Sequence, residues 1–134
     1  MTIMDAIAQA DALAPGNSFP EEMKVAWLSD LDGRVKEEII DLHEGGKDIP
    51  FCGYSPDTPG DKELLVNEPY SELYIPYLLS KMDLYQDEIT RYNNHTAVFL
   101  SLYNGYADKY NRTVTPLQKN RIRVKKCPCR LRRR

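Results

Sequence analysis

Two histidines and three cysteines are the side chains here best suited to proton transfer, nucleophilic attack or metal ligation. His43 and His95 lie far apart in the sequence. His43 closes a segment of helical periodicity, where the helix dipole favours an imidazolium. His95 falls outside the apolar seam of its own segment, on a polar face. Both are read as structural or solvated. Cys127-Pro128-Cys129 has the look of half a metal site, but zinc sites generally use two ligand pairs with CxxC spacing. Cys52 is the only other thiol, and no spacing asks His43 or His95 to complete a four-ligand set. Free thiols are therefore expected, with no metal and no cofactor. The carboxylate pairs Asp30–Asp32 and Asp87–Glu88 are expected on solvated helix faces. No HExxH, GxSxG, P-loop or GxGxxG occurs in the chain. The residues point away from an enzyme.

Charge is the stronger chemical signal. The formal net charge is only −2, yet residues 112–134 hold ten basic residues and no acidic one, leaving eight basic against twenty acidic residues over 1–111. An acidic body thus carries a basic arm, the pattern of an interaction segment. The candidate partner-binding residues are Arg121, Arg123, Lys125, Lys126, Arg130, Arg132, Arg133 and Arg134. Three readings compete. The arm binds phosphates, with a salt dependence that steepens for each one neutralised. It docks on an acidic protein surface, steered by charge. Or it is disordered and does nothing. The alternation of basic and apolar residues in Arg121-Ile122-Arg123-Val124 suits a strand added to a partner's sheet edge, which favours a protein partner.

The elements that must position these groups follow from hydropathy spacing. A chain of 134 residues is one domain's worth. It has no apolar run of the roughly 18 residues a membrane helix needs, and acidic residues stand where a secretory signal would be basic. An odd cysteine count gives no disulfide framework, so reduced thiols and a cytosolic origin are expected. Residues 2–14 predict a short helix ended by Pro15-Gly16. A second helix is expected from Pro20, capped by Ser18 or Asn17, with one stripe through Met23, Trp27, Leu31, Val35, Ile39 and Leu42. Glu44-Gly45-Gly46 stops it. Residues 45–69 read as a long Gly/Pro-rich loop, with a short strand or hairpin at Glu63–Val66. From about Tyr70 to Tyr110 a heptad places Leu78, Tyr85, Tyr92, Phe99 and Tyr106 at one seam position. Ile75, Met82, Ile89, Thr96, Tyr103 and Tyr110 occupy the other.

That seam predicts a continuous or merely bent helix, with Pro76 kinking its start. A break at Asn93-Asn94 is the alternative. The second-helix stripe is expected to pack on Leu78, Met82, Tyr85 and Ile89. Tyrosines bury a ring yet keep a hydroxyl that needs a partner. Tyr85, Tyr92 and Phe99 are therefore assigned to internal packing, and Tyr70, Tyr74, Tyr106 and Tyr110, near the ends, to a subunit interface. The fold class is mainly α: a small helical bundle with two long amphipathic helices, a helical domain over 1–113 and a basic C-terminal arm over 114–134.

Three stretches carry a family resemblance: WLSDLDGRVKEEIIDLHE at 27–44, NEPYSELYIPYLLSKMDLYQDEITRYNNHTAVF at 67–99, and YADKYNRT at 106–113. Over roughly residues 20–115 the chain resembles the head–tail connector, or adaptor, proteins of tailed phages and prophages of Gram-positive bacteria. None of these stretches is a catalytic motif, and the match thins after Thr113. The resemblance implies a virion protein made in the host cytoplasm. It also implies a helical subunit in a homo-oligomeric ring beneath the portal protein, typically twelvefold. The ring would extend the DNA channel and receive the next connector or tail-completion protein. An acidic wall lets DNA pass without specific binding, because like charge repels phosphates. The loop at 45–69 would be ordered by a neighbour. The alternative from another class is a small nucleic-acid-binding or DNA-packaging accessory protein that uses the basic arm.

Overall fold

The computed structural model describes residues 1–117. The described chain is a small, mainly helical bundle of four α-helices: α1 (Ile3–Leu13), α2 (Glu21–Glu38), α3 (Tyr74–Tyr85) and α4 (Ile89–Thr113). Helix α1 opens on a reciprocal cap: the Thr2 hydroxyl accepts from the Asp5 amide and the Asp5 carboxylate accepts from the Thr2 amide, both at 3.2 Å. It buries Ile3, Ala6, Ile7 and Ala10, the spacing of one helical face. Its polar edge supplies Asp11, which takes the ammonium of the buried Lys24 at 2.6 Å.

Helix α2 begins as expected at Pro20, but neither Ser18 nor Asn17 caps it. Asn17 instead donates to Asp11 and to the Ala14 carbonyl. The helix runs unbroken through Gly33 and buries Trp27, Leu31 and Val35. Ile39 continues the buried stripe, whereas Leu42 is exposed in a 3₁₀ turn (Ile40–Leu42). Gly46 is required beside that turn: a Cβ there would sit 1.8 Å from the Ile40 carbonyl oxygen.

The continuous helix expected over 70–110 is two helices folded back on each other. A 3₁₀ turn (Tyr70–Leu73) leads into α3, and Pro76 falls in the first turn, where its missing N–H is tolerated. The chain reverses at Gln86–Glu88, not at Asn93-Asn94. Asp87 adopts φ 58°, the Glu88 amide donates to the Asp83 carbonyl at 3.0 Å, and the Asp87 amide to the Leu84 carbonyl at 3.4 Å. This is a Schellman stop with aspartate in the position that glycine usually takes, tolerated because its side chain is short and polar. The heptad survives the reversal because both helices bury the same seam. Tyr77 meets Phe99 at 5.1 Å between ring centres and Tyr70 meets Tyr106 at 6.0 Å, so α3 and α4 run antiparallel.

The core joins the two expected stripes. Leu31 and Val35 of α2 and Leu78 of α3 are fully buried, and Met82 nearly so. Trp27 stacks on Tyr85 at 5.8 Å. Ile89, expected in this contact, is 71% exposed, because the turn at 86–88 carries it off the seam.

The 45–69 segment is held by its own chain rather than left for a neighbour. Leu64 and Val66 are buried. The Ile3 amide donates to the Lys62 carbonyl and the Leu64 amide to the Met1 carbonyl. The strand expected at Glu63–Val66 is reduced to one isolated bridge between Thr2 and Glu63. Among the described residues there is no β-strand. No helix there is long and apolar enough to cross a membrane.

Candidate functional site

Asp32, His43 and His95 are each hydrogen-bonded within the fold. Asp32, expected in solvent, is completely buried. Its Oδ1 accepts from the Tyr74 hydroxyl at 2.5 Å, and its Oδ2 accepts from the Tyr54 hydroxyl at 2.5 Å and from the Leu65 amide at 3.1 Å. Tyr74 in turn accepts from the Val66 amide at 2.9 Å. One carboxylate thus ties α2 to α3 and to both halves of the long loop. Burial pushes the Asp32 carboxyl above the ordinary carboxylate range, against the pull of those three hydrogen bonds. Burial first, then the neighbouring Asp32 charge, pushes the Tyr54 and Tyr74 hydroxyls far above the usual tyrosine range.

Both histidines are bonded to neighbouring elements. His43 Nδ1 lies 2.5 Å from the Ile39 carbonyl, which accepts its proton, and Nε2 lies 2.8 Å from the Asn111 side-chain amide. The ring packs edge-on against Tyr110 at 4.6 Å. His95 Nδ1 lies 2.5 Å from Asp83 Oδ2 and pins α4 to the last turn of α3. Asp30, Asp87 and Glu88 are exposed as expected. Among the described residues no group of three His, Cys, Asp or Glu side chains is placed to hold a metal. Cys52 is free and exposed.

The candidate interface tyrosines divide. Tyr74 is fully buried on Asp32, and Tyr106 is buried among Tyr70, Tyr110 and the core. Both rings face the interior rather than a neighbour, Tyr106 on the seam and Tyr74 beside it with its hydroxyl bonded to Asp32 and Val66. Tyr70 and Tyr110 keep partial exposure. Together with His43 they continue an aromatic file along the end of the hairpin, and Lys109 lies 5.5 Å over the Tyr70 ring. Tyr103, also on the seam, donates to Glu38 at 2.5 Å and so locks α4 to α2.

The body extends past the expected boundary at Thr113. The Glu44 amide donates to the Thr115 carbonyl at 2.8 Å and the Leu117 amide to the Leu42 carbonyl at 2.9 Å, flanking a bridge between His43 and Pro116. The first residues assigned to the arm therefore belong to the body. Arg121, Arg123, Lys125, Lys126, Arg130, Arg132, Arg133 and Arg134, like Cys127 and Cys129, lie outside the described residues.

Two surface features depart from or add to the expectations, for Tyr85 and Ile89, both assigned to packing, are exposed. Around the α3–α4 turn, Leu84, Tyr85 and Ile89 are exposed, with Val98 and Leu100 further along α4. Beside α1, a cleft of about 520 Å³ is lined by apolar side chains and by Glu21 and Glu22. Exposure at Ile89 is hidden by the heptad, which gives the same spacing to one helix or to two folded together.

This arrangement defines a small helical bundle in which Asp32, Tyr74, His43 and His95 brace the packing. Compared with family models, curated proteins and solved structures, the chain matches none.

Proposed function

We propose that the chain is a structural assembly subunit, a phage head–tail connector that forms a ring below the portal and joins capsid to tail. The observation that carries this reading is the segregation of charge. Residues 1–117 hold nine basic and twenty acidic residues, and residues 118–134 hold nine basic and none acidic. A body of net charge −11 ending in a segment of +9 is suited to charge-steered docking between copies or on an acidic partner. It also suits a wall past which DNA slides. Two facts agree with it. Asp32, Asp83 and both imidazoles are bonded within the fold, and the turn between α3 and α4 presents Leu84, Tyr85 and Ile89 to solvent. The resemblance over residues 20–115 supplies the particular assembly.

The test is electron microscopy of the full chain mixed with portal rings, with retention on those rings measured as salt is raised. Rings coaxial with the portal, lost progressively with salt, support the reading. A chain that ignores the portal but shifts duplex DNA through residues 118–134 overturns it in favour of the nucleic-acid-binding alternative.

A further inference from the structure

The cleft beside α1 has the chemistry of a receptor for this chain's own basic arm. It lies between the first turn of α2, the start of α1 and the loop near Pro56 and Gly60, and it measures about 520 Å³. Ile3, Met4, Val25 and Pro56 give it apolar walls, and Glu21 and Glu22 stand at its edge. Met4 is 45% exposed there, beside the buried Ile3, Ala6, Ile7 and Ala10 of α1. Asp57 and Asp61, both exposed, border the same lining segment; Lys62 is the one exposed base beside them. Glu21 and Glu22 make no salt bridge among the described residues. Lys24, the base nearest them in sequence, is committed to Asp11.

We infer that this cleft receives the Arg121–Lys125 stretch of a neighbouring copy of the chain, so that subunits join head to tail. Charge complementarity selects the occupant: the sequence Arg-Ile-Arg-Val-Lys alternates long cations with branched apolar residues. In an extended bound segment successive side chains face opposite ways. Ile122 and Val124 then enter the apolar walls while the flanking cations reach the carboxylates at the edge. No strand edge exists among the described residues, so a cleft rather than a sheet is the acceptor on a second copy.

Reach decides between the same copy and the next one. The described chain ends at Leu117, bonded to Leu42 beyond the C-terminal end of α2. The cleft is at the opposite end of that 18-residue helix, about 25 Å away at 1.5 Å per residue. Arg121 is four residues past Leu117, and four residues span at most about 14 Å. Only Val124 and Lys125, seven and eight residues on, reach about 25 Å with the chain fully extended; Arg121 and Ile122 fall short, so the whole stretch cannot lie in its own cleft. A contact between two different surfaces on successive copies closes into a ring when the rotation permits, and many weak arms then act together through effective concentration.

The inference rests on the connector reading for the ring, but its test contains no portal. Sedimentation of the full chain is followed across concentration, at about 50 mM and about 500 mM salt, where screening lengths differ several-fold. Wild type is expected to self-associate at low salt. Glu21→Lys/Glu22→Lys and, separately, Arg121→Glu/Arg123→Glu are each expected to weaken association at least tenfold while the chain stays folded, the lysines lowering the melting temperature modestly because they sit in the first turn of α2. A chain with all four changes regains it. Mixing the two half-broken variants gives heterodimers that grow no further, because each pair has one intact arm and one intact cleft. A wild type that stays monomeric, a cleft variant that associates like wild type, or arm docking independent of concentration within one copy overturns the inference. Portal retention of the same proteins, scored separately, shows whether the connector reading stands or falls on its own.

Discussion

The Tyr74 hydroxyl lies 2.5 Å from the carboxylate of Asp32, forty-two residues earlier in the chain, and both residues are fully buried. The same hydroxyl accepts from the Val66 amide. Tyr74→Phe keeps the ring but strands a buried amide and removes one of the three donors to a buried carboxylate. It is expected to cost about 1–3 kcal/mol, read by urea denaturation. Leu31→Ala, a cavity in the same core, is expected to cost about 2–5 kcal/mol. A loss within about 0.5 kcal/mol for either, the range of surface changes, would show that α2 does not pack as described.

Alkali should unfold this protein through its tyrosines. Tyr54, Tyr74, Tyr77 and Tyr103 are raised above the ordinary tyrosine value, and Tyr106 is pushed up to about 12, in every case chiefly by burial. A raised folded pKa means the unfolded chain loses its phenolic protons first. The stability these groups supply is therefore full below about pH 10, the unfolded value, and is lost as pH rises through the folded values. Denaturation midpoints between about pH 8 and pH 11.5 should fall in the upper half of that range. Tyr54→Phe should flatten the fall, and an unchanged slope would refute the assignment.

The His43–Asn111 contact holds the far end of α4 to the segment after α2. Asn111→Ala removes a partner of a buried imidazole and is expected to cost about 1–2 kcal/mol. Its specific signature is local: the Glu44 and Leu117 amides, which bond Thr115 and Leu42, should exchange hydrogen faster, while amides in α1 should not. Equal acceleration throughout would mean that Asn111 supports the whole fold rather than the exit of the C-terminal segment.

Ile89 is 71% exposed, so Ile89→Ser should change stability by less than about 0.5 kcal/mol. If the α3–α4 turn is an assembly surface, the same change should reduce retention on portal rings. Full retention alongside unchanged stability would remove the turn from the interface.

Truncation after Leu117 should leave the melting temperature unchanged, whereas truncation after Thr113 should lower it, because residues 115–117 bond to Leu42 and Glu44. Calorimetry on the two shortened chains separates body from arm. Equal melting temperatures would place the boundary back at Thr113.

Local patterning in the sequence determined a good deal about this protein. The spacing of Ile3, Ile7 and Ala10, the stripe from Trp27 to Ile39 and the seam around Leu78, Met82 and Phe99 each predict a helix with one buried face, and those faces are buried. Periodicity reports such faces because side chains three and four apart share one side of a helix whatever lies opposite. The segregation of acid and base is equally a property of the chain alone. Tertiary structure decided what periodicity leaves degenerate. A heptad is preserved when a helix doubles back, so the reversal at Asp87 and the solvent exposure of Ile89 depended on an aspartate taking a left-handed position that no pattern marks. Asp32 lies in a run of charged residues that reads as a wet face. It is buried only because Tyr54 and Tyr74, from a loop and a distant helix, arrive with hydroxyl donors that offset its desolvation. The same meeting moved Tyr74 from a candidate surface to the core, since a hydrogen bond between residues far apart in sequence exists only once the chain has folded.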